Sequence, residues 1–229
     1  VWTFPGGPAS RVALGLESYG GRRGTAGFSG ELGDFRAFAH ADVYRTDSHR
    51  DGAWTDRDNL AAGFTTVRGE RRYSLRVNHY RADFVAAGYL RYDQLAAGLV
   101  GRSAPEPNAL APFGSGRRTA LAFNAQPAEG DAGWHATLYA EDFERERGAS
   151  GGGLVHNVGT DDRVIAGGRL GHHFVYGDTA SLHVGTEFRW DDGDGIRRRW
   201  QNRMPTATYL TNLDMDLRTA GLYAQGQYR

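Results

Sequence analysis

Alternate positions along much of this chain carry side chains of opposite character. Between Ala180 and Asp191, Ala180, Leu182, Val184, Thr186, Phe188 and Trp190 fall on one side, and Ser181, His183, Gly185, Glu187, Arg189 and Asp191 on the other. A period of two belongs to a β-strand whose faces meet different surroundings; on a helix the same residues would scatter around the axis. The same sorting sets Phe35, Ala37, Ala39, Ala41 and Val43 against Arg36, Phe38, His40, Asp42 and Tyr44. It recurs around Tyr73, Leu75 and Val77, along Trp134 to Glu141, and along Arg163 to Leu170. Less regular strands are expected at Arg11 to Tyr19, Gly24 to Leu32, Asn59 to Val67, Arg118 to Gln126, and from Leu217 onward. The pattern predicts an all-β chain of about ten strands.

The connections add an order to these strands. Short turns are expected at Gly33-Asp34, Arg68 to Arg71, Pro127 to Ala132 and Gly177-Asp178. Between them lie longer polar segments at Thr46 to Asp58, Ala82 to Arg117, Gly148 to Asp162 and Gly193 to Asp216. Strict alternation places every tight turn at one end of an antiparallel up-and-down meander and every long loop at the other, the asymmetry of a transmembrane β-barrel. Phe35, Tyr73, Trp134, Tyr176 and Tyr228 sit at the short-turn ends, where an interfacial aromatic girdle belongs, while Phe143 and Trp190 lie near the long-loop ends. The alternative is a soluble or secreted β-sandwich that binds a carbohydrate or protein ligand through loop aromatics. Nothing in a sandwich requires its loops to alternate in length.

Composition narrows the choice. Mean hydropathy is -0.56, and no apolar run approaches the ~18 residues of a helical span. Barrel strands escape that criterion, because their lipid-facing and lumen-facing residues average out as polar. With 33 Gly and only 7 Pro in 229 residues, the chain reads as strands and turns. The absence of Cys removes disulfides and thiolate metal sites. A formal net charge of zero, with Arg as the sole basic residue apart from His, lacks the basic face of a nucleic-acid binder.

Several stretches resemble the early barrel strands of TonB-dependent outer-membrane receptors. Val12 to Gly21, followed by Gly27 to Leu32 and the Gly33-Asp34 turn, is similar to the first two strands of that family. Tyr44 to Gly52 resembles the run of its third strand into a loop, Asn59 to Tyr80 a descending strand, turn and ascending strand, and Ala220 to Arg229 a later strand. The resemblance implies a partial wall, residues 1–229, of a larger barrel of the roughly 22-stranded type. Residues 1–10 would connect it to a preceding plug domain, since the chain starts without Met or an export signal and stops within a strand pattern. It implies the outer membrane of a Gram-negative bacterium, contacts with lipid and lipopolysaccharide, and import of a scarce ligand such as a ferric siderophore or other metal chelate. It also implies coupling to TonB through a region outside this chain.

Few residues suggest chemistry. Arg197, Arg198, Arg199 and Trp200 stand in an expected outside loop, and guanidinium forks there suit an anionic ligand or lipopolysaccharide phosphates as well as simple solvation. Asp191, Asp192, Asp194, Asp214 and Asp216 have the hard oxygens calcium favours, but lack EF-hand spacing, so a solvated acidic loop is expected. Ser150 lies in a formal nucleophile-elbow pattern without the required strand-to-helix turn. His172 and His173 are adjacent and should face opposite ways, while His40, His135 and His183 fall on the polar face as ordinary solvated residues. Arg36, Arg76, Arg169 and Arg189 should form a cross-strand charge network with Glu141 and Glu187. No enzymatic role, cofactor or resident metal is expected.

Overall fold

A computed structural model describes residues 9–105, 111–130, 132–150 and 155–228. Ten strands follow one another: β1 (Ala9–Leu16), β2 (Arg22–Leu32), β3 (Phe35–Asp47), β4 (Trp54–Arg68), β5 (Arg71–Val85), β6 (Phe113–Pro127), β7 (Gly133–Ser150), β8 (Val155–Tyr176), β9 (Ala180–Gln201) and β10 (Met204–Tyr228). A short helix, α1 (Tyr92–Ala96), lies in the β5–β6 connection. Each strand pairs antiparallel with the next, giving one sheet in sequence order, the up-and-down meander expected from the alternation. Of the expected connecting segment 1–10, residues 1–8 lie outside the described residues, and Ala9 and Ser10 already pair with Ser29 and Phe28.

Register turns the period-two pattern into a continuous surface. One cross-strand row runs Ala37, Phe64, Leu75, Phe123, Leu138, Gly168, Phe188, Ala220. Successive side chains of a strand alternate faces, so the apolar sets of all strands lie on one side, here termed outward. The five expected girdle aromatics Phe35, Tyr73, Trp134, Tyr176 and Tyr228 share that side, whereas the register puts Phe143 on the other. Nothing among the described residues covers the apolar side: Leu138 is 51% and Phe188 54% exposed, and the buried hydrophobics are only Ala37, Ala53, Ala87 and Val158. A sandwich would hide this face beneath a second sheet.

The outward band has a sharp upper limit. Three positions above the apolar row, counting every second residue, the row reads Val43, Asp58, Arg81, Arg117, Glu144, Asp162, Asp194, Asp214. On β9 the band from Leu182 to Trp190 matches the roughly 9–11 residues that a tilted strand needs to cross hydrocarbon.

The strands do not stop there, which corrects the expected loop pattern. Lengths rise from 8 residues in β1 to 22 in β9 and 25 in β10, so much of the expected loop Gly193 to Asp216 is a tall hairpin. Its turn is only Asn202 and Arg203, both with positive φ (51° and 64°), the two-residue form whose twist suits flanking strands. The strict alternation of short and long connections therefore fails at β9–β10, and the expected loop Gly148 to Asp162 is likewise strand up to Ser150 and again from Val155. Polar side chains on both faces are no obstacle to a strand surrounded by water, because the ladder hydrogen bonds hold it. The long connection that remains in the described structure is β5–β6, residues 86–112.

Candidate functional site

The side opposite the apolar band is polar and concave, enclosing about 1380 Å³ lined by β1 through β7. Ion pairs stud it. Arg169 meets Glu187 at 2.8 Å, Arg118 meets Glu141 at 2.6 Å, and Arg189 meets Asp191 at 2.7 Å. Asp42, nearly buried, accepts from Arg23 at 2.8 Å and Arg57 at 3.3 Å. Of the expected charge network the Arg169–Glu187 pair forms, while Glu141 takes Arg118 and Arg189 takes Asp191 instead. Arg76 instead donates to Asn78 Oδ1 at 3.2 Å and lies over the Phe38 ring, and Arg36 reaches only 4.0 Å from Glu31.

Large inward rings need room on a pleated wall, and glycines provide it. A Cβ at Gly167 would stand 2.7 Å from the Phe188 carbonyl oxygen and collide with the Tyr139 phenol. Gly171 and Gly185 similarly clear space for Tyr223, whose hydroxyl lies 3.4 Å from His183 Nε2. Around it His135 and His173 have ring centroids 6.0 and 5.8 Å from that of His183. The sequence reading treated His135 and His183 singly and weighed His173 only against His172; register brings the three together on adjacent strands. Their geometry holds no metal: among the described residues no His, Asp or Glu group is arranged for one. His172 does face the other way, edge-on to Trp134.

Higher on the inner side, three rows define a basic and aromatic field. They read Tyr80, Arg118, Phe143, Arg163; then Ala82, Gly116, Arg145, Asp161; then Phe84, Gly114, Arg147, Gly159, Arg197. Arg145 engages Asp161, with Nε at 3.0 Å from Oδ2. No such carboxylate pairs with Arg147, Arg163 or Arg197 among the described residues. Of the four residues expected in an outside loop, all lie on β9, and the strand separates them. Arg197 and Arg199 face inward, whereas Arg198 and Trp200 face outward, where Arg198 covers the Tyr209 ring and Trp200 approaches Phe113. The acidic set divides likewise: Asp191 is inward and buried, and Asp192, Asp194, Asp214 and Asp216 are outward.

The β5–β6 connection is held by a residue that the sequence pattern did not single out. Arg50, between β3 and β4, donates Nε to the Ala104 carbonyl at 3.0 Å and its terminal nitrogens to Gly88 at 2.6 Å, Ala87 at 3.2 Å and Ala104 at 2.9 Å. Backbone carbonyls leave no sequence signature, so only the fold could reveal this contact. Beside α1, Arg91 hydrogen-bonds Asp93 and holds its carboxyl below the usual carboxylate range. Tyr92 on α1 is 84% exposed. Ser150 is the last residue of β7, and the next described element is the strand β8, not a helix.

No family model matches the chain, and no curated protein matches it in sequence. Solved structures with the same wall do exist. The siderophore receptor PiuA from Acinetobacter baumannii superposes with a TM-score of 0.70 at 11% identity, over 97% of this chain and 40% of that one. The pyoverdine outer membrane receptor FpvA from Pseudomonas aeruginosa, bound to pyoverdine, gives 0.68 at 15%, over 96% and 38%. The ferric citrate transporter FecA gives 0.66 at 14%, over 95% and 34%. The chain spans between about a third and two fifths of the length of these receptors.

Proposed function

From a chain whose fold is the barrel wall of such outer-membrane receptors, we propose that it forms part of a TonB-dependent transporter that imports a scarce ligand such as a ferric siderophore. In this reading the remaining strands of a roughly 22-stranded barrel lie outside residues 1–229. Residues 1–10 lead from a plug domain, and the contact with TonB belongs to that preceding region. The outward band from Leu182 to Trp190 and its neighbours meets hydrocarbon, and the charged row above it meets lipid headgroups and lipopolysaccharide in the outer membrane of a Gram-negative cell. The inner wall faces water and the passing ligand.

The observation that carries the proposal is the exposed apolar band with a polar concave reverse. A single sheet leaving Phe64, Leu75, Leu138 and Phe188 uncovered among the described residues supports an apolar surrounding, and hydrocarbon is one that ends after ten or so residues of strand. A soluble sandwich lacks support here, because no second layer among the described residues covers that band. The test is fractionation and uptake with the full-length protein: it should resist extraction until detergent is added, and uptake of labelled ferric complexes should vanish in cells lacking TonB. Release in aqueous buffer would refute the membrane assignment.

A further inference from the structure

The upper inner wall carries positive charge that the described residues do not neutralise. The concavity over β1 to β7 includes Arg147, and the same face continues onto β8 and β9, where Arg163 and Arg197 stand. Arg118, Arg145 and Arg23 have carboxylate partners. Arg147, Arg163 and Arg197 have none among the described residues, although they occupy three adjacent strands on one face.

Their setting is open rather than packed. Arg147 and Arg197 share a row with only Gly159 between them, so their Cα atoms stand roughly 10 Å apart, two inter-strand spacings. On the other side of Arg147, Gly114 has the Phe84 ring so close that an added Cβ would fall 2.6 Å from it. Arg163 lies below Gly159 on β8, beside Phe143 of β7. The three arginines therefore border a floor of glycine and aromatic ring, with Asp161, already engaged by Arg145, seated between Arg163 and the upper row. Fifteen N–H donors at this density gain most from a group offering several anionic oxygens in a plane, and a neutral or cationic group would leave them repelling one another.

We propose that the ligand recognised on this wall is a compact anion, an oxygen-rich metal chelate of net negative charge, held by Arg147, Arg163 and Arg197 beside Phe84 and Phe143. This rests on the importer reading, and it narrows the ligand class from any scarce nutrient to an anionic one. Arg197 is the one residue of the Arg197–Trp200 run that takes part.

The test measures binding and uptake separately, with full-length protein in detergent and in cells. The probes are ferric complexes of citrate and of a tris-catecholate (anionic), ferrichrome (neutral) and ferrioxamine B (cationic). At least one anionic complex should bind most tightly, with affinity falling as salt rises. Arg147→Gln, Arg163→Gln and Arg197→Gln should each weaken it about tenfold, the loss expected for a charge-assisted hydrogen bond. The corresponding Lys variants should lose less, and unchanged heat resistance of the barrel on gels would show that folding is intact. Anionic complexes binding no better than the other two, or Gln variants binding them as the parent does, would overturn the proposal. Variants that lower heat resistance at unchanged affinity would overturn it too, assigning the arginines to contacts within the protein. Arginine-dependent anion binding without TonB-dependent uptake would sustain this inference and remove the transport reading; TonB-dependent uptake indifferent to the arginines would do the reverse.

Discussion

The lower and upper parts of the same strands obey different rules. Below the charged row, each strand sorts apolar residues outward and polar residues inward, and the sorting survives across eight strands in one register. Above it, β9 continues with Arg198 outward and Arg197 and Arg199 inward, polar residues on both faces. Both regions are β-sheet, held by the same backbone hydrogen bonds. Hydropathy thus reports what surrounds a strand, while the ladder determines whether a strand exists.

The largest expected effect separates the two regions directly. Phe188→Arg, in the middle of the outward band, should cost about 2–4 kcal/mol in urea unfolding from liposomes, whereas the same change at outward Ile196, above the row, should cost about 1 kcal/mol or less. Equal costs would mean that the charged row does not mark the membrane limit. Next, Arg50→Ala removes four hydrogen bonds from the β5–β6 connection and should reduce its local stability by about 1.5–3 kcal/mol, read as faster proteolytic cleavage within residues 86–105. The strands beneath should keep their protection, which sharpens the division between an upper region tied by side chains and a lower one tied by the sheet.

A backbone carbonyl cannot yield as a side chain can, so Gly167→Val, on the inner face of the band, should destabilise by about 1–3 kcal/mol in the same unfolding measurement. The smallest effect has the opposite sign. Glu144, Asp162, Asp194 and Asp214 stand directly opposite one another across four strands, and like charges so placed repel. Asp162→Asn should stabilise by about 0.2–1 kcal/mol at low ionic strength, with the gain shrinking as salt is added. A gain unaffected by salt would show that the row is not an electrostatic strain.

Much of the fold was legible because an apolar face opposed to a polar one leaves a period-two trace. The runs at Ala180 to Asp191 and Phe35 to Tyr44 are strands as read, and His172 and His173 do face opposite sides. The tall parts of β8, β9 and β10 were read as loops, because runs such as Asp191 to Asp194 and Arg197 to Arg199 carry no continuous apolar face. Asn202 and Arg203 gave little warning of their turn, since Gly, the usual marker of positive φ, is absent there.

By itself, the sequence determined which side chains could face an apolar medium and how many strands would carry them, since burial preference and alternation are local. The tertiary structure alone decided which distant residues meet. Arg147, Gly159 and Arg197 share a row, His135, His173 and His183 converge, and Arg50 finds the Ala104 carbonyl, because register between strands is a property of paired chains. Hydrogen bonds across a sheet join positions by their offset from a turn, and that offset is set by the geometry of the turn and the pairing of whole strands, not by any residue in the pair.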